Sequence, residues 1–520
     1  MSLVRSLATV GSATLVSRVL GFVRDAGVAA LLGAGPLADA YVAALQIPNL
    51  FRRLLADGAV NSAFVPAWLR VRGRAGLPAA RQFGLRAMSA VVAVLGVVML
   101  ACILFAPAVI EFLAPGFEDG GARAVTAIWL LRLSMLYVVL AGATAIAIAI
   151  LNAEGDVASG GVSVIAFNIV LVAAIAVVTF GGAPQSGFAA SVLAASFVVA
   201  GLVQFGVTAL ALRRRGLWPE RGAVGNPTDV RRFLSRALPG TLAAGIPQFV
   251  LIIGAMVASP SSSAVAWLYY AFRLYELPLG IVSIAISAVL TRHIAASVVE
   301  DDAQTMAAAK SHALEVALGL ALPAAAGLAI LSIPITRVLF QRGAFGPHDT
   351  IAVAAALTAI AGGLAGHAIE KVLGAISFAH DDARTPMLTA LAGLAVAGIT
   401  AVFLFPHYGH VGVAAAIALS GWTGGLLLLV VLGRRGWIAI ERASALRVIG
   451  IAGSTLLMGL VVVLLVMVQA QWFGVLQSFV GQVVWLAALI AAGVAVYLAS
   501  LWQLGITNIP RILAQIRGKS

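Results

Sequence analysis

Apolar segments of about 20 to 35 residues, each long enough to cross a bilayer as a helix, follow one another along the whole chain. Hydrophobic residues make up 62% of the 520 positions and charged residues only 10%, whereas a soluble domain carries about 25% charged residues. No long polar block separates the apolar segments. The sequence therefore predicts an all-α polytopic membrane protein with about fourteen transmembrane helices.

The charges of the predicted loops indicate how the chain is oriented in the membrane. Loops after even-numbered spans are rich in arginine, as at 213–215 and 434–435, while loops after odd-numbered spans are acidic or nearly neutral, as at 118–119. Because cytoplasmic loops collect lysine and arginine, we expect both termini in the cytoplasm. An even number of helices agrees with this orientation.

Two sequence patterns occur twice, in the same order and at nearly the same spacing. Residues Pro107–Gly116 and Pro334–Gly343 both read as proline, eight residues and glycine, and the turn at 153–156 is echoed at 379–382. The offsets of 227 and 226 residues predict two six-helix halves. Because six is even, both halves enter from the same side of the membrane. Such parallel repeats place a substrate site between the halves.

The repeat divides the chain into four expected parts. These are an N-lobe with helices 1 to 6 (1–215), a cytoplasmic linker (216–228), a C-lobe with helices 7 to 12 (229–436), and helices 13 and 14 with a cytoplasmic tail (437–520). The last two helices lie outside the repeat and are an addition to it.

Charge distribution and missing motifs argue against several classes of protein. The net charge is +13, but the basic residues are dispersed between apolar spans, so nucleic acid is not expected as a partner. Cys102 is the only cysteine, which excludes an intramolecular disulfide and disfavours a thiolate metal site. The sequence contains no paired-carboxylate motif, Gly-x-Ser-x-Gly, His-Glu-x-x-His or phosphate-binding glycine loop. We therefore expect no enzyme, no metal and no cofactor.

The first apolar span carries charges near its middle, at Arg18, Arg24 and Asp25. A charged side chain at the bilayer centre costs about 2.5 to 3.5 kcal/mol on insertion scales, so such charges face a cavity or a partner. One interpretation is a pair of arginines that snorkel from a helix end. The other is a polar site inside the membrane protein.

The second and eighth spans place arginines next to a helix-breaking proline. Arg52 and Arg53 follow Pro48, while Arg273 and Glu276 lie three residues apart, on one helical face, just before another proline. The irregular backbone near a proline is tolerated at membrane depth where protein or a water-filled cavity receives its polar groups. The competing interpretations are an interfacial arginine pair and a purely structural ion pair.

Two further sets of polar residues leave structural and functional interpretations open. Asp39, shortly after the loop at 33–36, is either part of a polar site or a helix-start charge near the amide dipole. In the tenth span, His367, Glu370 and Lys371 interrupt an apolar run. Their residue types alone do not separate a binding role from a structural one.

The arginines at membrane depth outnumber the carboxylates that could pair with them. The set consists of Arg18, Arg24, Arg52 and Arg273. Guanidinium groups match phosphate oxygens bidentately and stay charged at physiological pH. A cavity with surplus guanidinium therefore favours a phosphate or diphosphate headgroup over a cationic ligand.

Several motifs together resemble one known family. They are Ser17–Asp25, Ala38–Ala40, Pro48–Arg53, Arg273–Pro278 and Phe340–Phe345. These segments resemble the MurJ (MviN) family of lipid II flippases, in the multidrug/oligosaccharidyl-lipid/polysaccharide exporter superfamily. The resemblance extends over nearly the whole chain and is most specific in the first 70 residues.

The resemblance implies a fourteen-helix protein of the bacterial cytoplasmic (inner) membrane, with two six-helix lobes around a cationic cavity. Such a protein moves undecaprenyl-diphosphate-linked disaccharide-pentapeptide to the outer leaflet for peptidoglycan synthesis, in contact with membrane lipid and with cell-wall synthesis proteins as further candidate partners. The substrate-binding residues carried over are Arg18, Arg24, Arg52, Arg273, Asp39, Asp25 and Glu276.

One departure from the family pattern concerns the coupling ion. Members with a proposed sodium site use carboxylates in the seventh and neighbouring spans, but residues 237–258 contain no ionisable group. Membrane potential or protons are therefore the expected driving force. Two other functions stay open, which are export of another polyprenyl-diphosphate-linked glycan and a non-transporting scaffold for wall-synthesis enzymes.

Overall fold

The computed structural model describes residues 3–56, 59–220, 227–300, 303–438, 442–472 and 478–506, and in these ranges the regular secondary structure is entirely α-helical. The helices are α1 (Leu3–Leu32), α2 (Pro36–Ala56), α3 (Ala59–Leu104), α4 (Ala106–Leu113), α5 (Ala122–Ser134), α6 (Leu136–Ala153), α7 (Val157–Phe180), α8 (Gly187–Arg214), α9 (Pro227–Ala258), α10 (Ala264–Glu300), α11 (Ala303–Ile330), α12 (Ser332–Phe340), α13 (Pro347–Ala361), α14 (Leu364–Ala379), α15 (Arg384–Arg434), α16 (Arg442–Trp472) and α17 (Phe479–Gln503).

The predicted all-α polytopic fold class is confirmed. Among the described residues, eight helical stretches are long and apolar enough to cross a membrane, or nine if the bent pair α13 and α14 forms one span. Two of these stretches, Pro36–Leu104 and Arg384–Arg434, contain a glycine with non-helical dihedral angles, Gly76 and Gly409. Each can therefore cross more than once, and the count of about fourteen stays a prediction.

The chain forms two compact units. The first contains Met1–Ala266 together with Arg342–Gly346, and the second contains Trp267–Gln341 together with Pro347–Ser520. The predicted lobe boundaries stay a prediction, and residues 221–226 of the predicted linker lie outside the described part of the chain.

The core of the first unit contains aromatic side chains from α3 and α9. Phe64 stacks on Phe83 at 5.2 Å between ring centroids, and Phe233 meets both rings edge-on. Trp68 is completely buried and donates its indole N–H to Glu154 at the end of α6, 2.7 Å away. This cluster holds α3, α6 and α9 together.

The segment Arg342–Gly346 packs against the C-terminal end of α1 within the first unit. The Ala344 amide donates to the Ala30 carbonyl at 2.8 Å. Gly343 has a φ of 58°, and a Cβ there would collide with the Ala30 carbonyl oxygen. The close approach of the two backbones therefore requires glycine at this position.

The second unit packs its last two helices on α11 and α12. Buried side chains from α12, α16 and α17, including Val338, Met458 and Leu489, form one apolar cluster. The Tyr497 hydroxyl donates to the Gly319 carbonyl of α11 at 2.6 Å. Helices α16 and α17 are thus integral to this unit.

The turn between α6 and α7 is one half of the predicted repeat. Gly155 has a φ of 79°, and the next residue, Asp156, accepts from the Ser159 amide and hydroxyl at 3.1 and 2.6 Å. Arg215, just after α8, forms an ion pair with Asp156 at 2.8 Å. The carboxylate therefore caps one helix and ties it to the end of another.

The turn between α14 and α15 has the same construction. Asp381 has a φ of 59°, and Asp382 accepts from the Thr385 amide and hydroxyl at 3.0 and 2.5 Å and from Arg435 at 2.6 Å. The hydrogen bonds from Thr385, reinforced by Arg435, hold the pKa of Asp382 well below its usual range. Two turns that the sequence pattern aligned thus share backbone geometry and capping chemistry.

Candidate functional site

Arg24 lies on α1 with its guanidinium held between two polar side chains. Its Nε and Nη2 groups donate to Asp25 Oδ1 at 3.0 and 2.9 Å, and Nη1 donates to Asn168 Oδ1 of α7 at 3.3 Å. Only 11% of the arginine side chain is exposed. Asn168 is itself oriented, since its amide nitrogen donates to the Val164 carbonyl at 3.0 Å. The arginine is therefore directed by α7 as well as by its own helix.

Arg52 on α2 and Arg24 both interact electrostatically with the hydroxyl of Tyr137 on α6. Tyr137 is buried against Phe167 and Phe197, with ring centroids 5.4 and 6.0 Å away. This aromatic group fixes where the hydroxyl lies. Two of the predicted arginines of the first unit therefore interact electrostatically with one buried hydroxyl.

Arg18, six residues before Arg24 on α1, is exposed, and the described part of the chain offers it no hydrogen bond or ion pair. Arg53, next to Arg52, is partly buried. Asp57, the carboxylate that follows these arginines in the sequence, lies outside the described residues. A part for Arg18 in substrate binding stays a prediction.

Asp39 is fully buried near the start of α2. Its Oδ2 accepts from the Ser263 amide at 2.6 Å and its Oδ1 from the Ala266 amide at 2.9 Å, in the first turn of α10. Arg123 lies 3.7 Å from the same carboxylate and also donates to the Ser259 carbonyl at 3.2 Å. Asp39 therefore caps the start of a helix, and this helix lies 224 residues further along the chain. The predicted part of Asp39 in substrate binding stays a prediction.

Arg273 and Glu276 on α10 form the ion pair that their spacing predicts, with Nη1 and Oε2 2.9 Å apart. Arg273 also donates to the Tyr269 hydroxyl at 3.2 Å and lies 4.8 Å from the centre of that ring. Its side chain is 13% exposed and that of Glu276 is 26% exposed. These residues belong to the second unit, whereas Arg18, Arg24, Asp25, Asp39 and Arg52 belong to the first.

Asn168 and Tyr137 are the site residues that sequence reasoning missed. Each is a polar group within an otherwise apolar span, and this was the signal available in the sequence. Neither sits next to a charged residue in the chain, so only the packing of α1 and α2 on α6 and α7 shows their relation to the arginines.

The fold resembles solved structures of membrane transporters. A structure titled "Lipid II flippase MurJ, inward closed conformation" aligns with a TM-score of 0.78 at 22% identity, covering 94% of this chain and 97% of that one. An inward-facing multidrug-resistance MATE family transporter of the MOP superfamily aligns with a TM-score of 0.66 at 14% identity, over 81% and 94% of the two chains. The chain therefore has the fold that these solved structures share.

Sequence similarity narrows this class to one family. A family model described as "Lipid II flippase MurJ" matches residues 28–503. A "Probable lipid II flippase MurJ" of Rhizobium meliloti (strain 1021) is 36% identical, over 84% of this chain and 82% of that protein. The "Lipid II flippase MurJ" of Burkholderia cenocepacia is 30% identical over 97% and 98%. The chain belongs to the lipid II flippase MurJ family.

Proposed function

We propose that this multi-pass membrane protein is a flippase that moves lipid II, the lipid-linked peptidoglycan precursor, from the inner to the outer leaflet of the cytoplasmic membrane. Membership of the family supports the substrate class and the part in peptidoglycan synthesis. The proposal includes alternating access as the transport mechanism and both termini in the cytoplasm, in line with the arginine-rich loops. It assigns transport rather than catalysis to the chain.

The observation that carries the proposal is the position of the Arg24 guanidinium. It is largely buried, it is aligned by Asp25 and by the neutral Asn168, and it interacts electrostatically, as Arg52 does, with the Tyr137 hydroxyl. Asp25 is its ion-pair partner, and Asn168 adds a neutral acceptor from a second helix. A site that fixes guanidinium groups in place is prepared to receive an anion.

A diphosphate fits this site because its oxygens can accept paired hydrogen bonds from planar guanidinium groups. In our proposal Arg24 and Arg52 of the first unit bind the diphosphate. The predicted binding role of Arg273, in the second unit, stays a prediction of its own. Asp25 and Glu276 orient their neighbouring arginines rather than meet the anion. The polyprenyl chain stays in lipid, so the protein needs to shield only the polar headgroup.

Replacement of single arginines tests this assignment. We expect Arg24→Ala or Arg273→Ala to lower flipping of lipid II in proteoliposomes by about 10- to 150-fold, since a hydrogen bond to a charged group contributes about 1.5 to 3 kcal/mol. Arg74→Ala, which removes an exposed arginine of the predicted first cytoplasmic loop, is the matched control and should flip normally. Wild-type rates in both site variants would overturn the assignment.

Two further measurements separate the alternatives. A flippase that prefers another polyprenyl-diphosphate-linked glycan would transport that lipid faster than lipid II in the same vesicles. A scaffold without transport activity would cause no change in the leaflet distribution of lipid II when cells are depleted of the protein. Our proposal requires lipid II to accumulate in the inner leaflet on depletion.

A further inference from the structure

The second unit contains a broken helix whose polar groups the proposed diphosphate site does not use. Helices α13 and α14 are bent by 44° at Gly362 and Gly363. The Gly362 carbonyl is left outside the regular helical ladder and accepts from the Trp422 indole N–H at 2.8 Å. Irregular backbone at membrane depth occurs where it is buried in protein or lines a polar cavity. The break therefore marks a candidate ligand position.

His367 lies one turn after the break and shares one ring nitrogen between two oxygens. Its Nδ1 is 2.8 Å from the Tyr275 hydroxyl of α10 and 3.0 Å from the Gly363 carbonyl. When Nδ1 of the neutral ring carries the proton, it donates to the Gly363 carbonyl, and the Tyr275 hydroxyl donates to another acceptor. A bare Nδ1 instead accepts from the tyrosine. The partner to which the tyrosine hydroxyl donates therefore depends on the tautomer of the histidine ring.

Glu370 lies three residues after His367, on the same face of α14, and interacts electrostatically with the Tyr275 hydroxyl. It is partly buried, and the described residues provide its carboxylate with no hydrogen bond or ion pair. Gly424 of α15 makes the space for it, because a Cβ at this glycine would lie 2.8 Å from both the carboxyl carbon and Oε1. The helix pair is therefore built around the carboxyl group.

The charged and titratable groups around Glu370 are few. On its own helix these are His367 and Lys371, whose charge acts on both His367 and Glu370. On α10 the hydroxyl of Tyr275 faces it, and on α15 the stretch 417–428 that carries Gly424 contains no ionisable residue.

The ionisable residues of α11, which also packs on α14, lie at its first turns and have other partners. Lys310 donates to the Trp437 carbonyl at 3.0 Å, and Glu315 pairs with His312 and with Arg447. The described ionisable groups of α11 therefore do not belong to the polar cluster of Glu370, His367 and Tyr275.

We propose that Glu370, Tyr275 and His367 form a proton-binding site in the second unit, with Glu370 as the group that gains and loses the proton. The carboxylate takes a proton from hydronium, releasing water, and becomes a neutral carboxyl group with an O–H donor. Tyr275 interacts electrostatically with the carboxylate, and His367 in turn contacts the Tyr275 hydroxyl. A metal ion is a poorer fit, since the described residues contain no group of three His, Cys, Asp or Glu side chains with metal-binding geometry.

We infer proton binding from the surroundings of Glu370 alone. Coupling of this proton to transport rests, in addition, on the proposed flippase function. In that coupling, protonation removes a charge from between α14 and α15 and so favours their close packing. A proton gradient would then bias the transport cycle through this helix pair. The two parts are tested by different measurements.

Infrared difference spectroscopy tests proton binding without any transport. The purified full-length protein is titrated with acid in lipid nanodiscs, and the carbonyl band of a protonated carboxyl group in an apolar environment is followed. We expect Glu370→Gln to lose this band and Glu111→Gln, which changes an exposed carboxylate in the first unit, to keep it. Tyr275→Phe should shift the pH midpoint of the band, because it removes a hydroxyl that interacts electrostatically with the carboxylate.

Transport measured with an imposed proton gradient tests the coupling. Wild-type protein should flip lipid II faster when the vesicles carry a pH gradient than when they do not, and Glu370→Gln should lose this difference while still flipping at the gradient-free rate or below. A carboxyl band that is unchanged in Glu370→Gln would overturn the proton site. A band that is lost while the gradient response persists would overturn only the coupling.

Discussion

Asp39 offers the sharpest test of how the first unit is held together. Its buried carboxylate accepts two backbone N–H groups, from Ser263 and Ala266, and lies 3.7 Å from Arg123. Asp39→Ala removes both acceptors and leaves two buried donors unsatisfied, at about 1 to 3 kcal/mol each. We therefore expect a loss of about 3 to 5 kcal/mol in the free energy of unfolding.

The ion pair contributes less than the backbone hydrogen bonds. Arg123 keeps 19% of its side chain exposed and retains a hydrogen bond to the Ser259 carbonyl, so solvent weakens its attraction to Asp39. Arg123→Ala should cost about 1 kcal/mol through this pair. Asp39→Asn keeps one acceptor oxygen but directs an amide NH2 group at the other backbone donor. Its loss in the free energy of unfolding should therefore lie between those of Arg123→Ala and Asp39→Ala.

Chemical unfolding of the purified variants in detergent, followed by tryptophan fluorescence, gives the comparison. We expect Arg123→Ala to be the most stable of the variants, followed by Asp39→Asn and then Asp39→Ala. The double variant with both Asp39→Ala and Arg123→Ala should lose less free energy of unfolding than the sum of the two single losses. If Arg123→Ala is as unstable as Asp39→Ala, the ion pair and not the helix cap holds the carboxylate. If Asp39→Ala keeps wild-type stability but loses flipping, Asp39 acts on the substrate.

Three further predictions concern the arginine site and the two backbone features. Asn168→Ala removes the 3.3 Å hydrogen bond to Arg24 and should raise the lipid II concentration for half-maximal flipping by about fivefold, since such a bond contributes about 1 kcal/mol; an unchanged value would refute the positioning of Arg24. Asp382→Ala should lower the free energy of unfolding by about 1 kcal/mol near neutral pH through the lost cap. Because Thr385 lowers the folded-state pKa of Asp382, this contribution is present above the ordinary carboxyl pKa and is lost as the pH falls through the lowered value, so wild type and variant should converge in acid. Gly343→Ala should lower the midpoint of thermal unfolding, because it forces a side chain into a left-handed conformation, at about 1 to 2 kcal/mol, and into a backbone oxygen of α1; a midpoint equal to that of wild type would show that the segment Arg342–Gly346 does not need its close contact.

The sequence alone was sufficient to predict the class of the protein and to single out the charged residues that we propose as an anion site. Long apolar runs can be stable only as membrane helices, because backbone groups in lipid must be hydrogen-bonded within the segment. The cost of burying a charge made Arg24, Arg52 and Arg273 stand out. The three-residue spacing of Arg273 and Glu276 also predicted their ion pair, which a single helix is enough to form.

The tertiary structure determined the contacts between residues that lie far apart in the chain. Asn168 reaches Arg24 across 144 positions, Asp39 caps a helix start 224 positions away, and Glu370 occupies the space left by Gly424. Such contacts depend on which helix packs against which, and apolar periodicity does not encode that choice. Local charge and hydropathy therefore identified the polar residues, while packing determined whether each one caps a helix, orients an arginine or binds a proton.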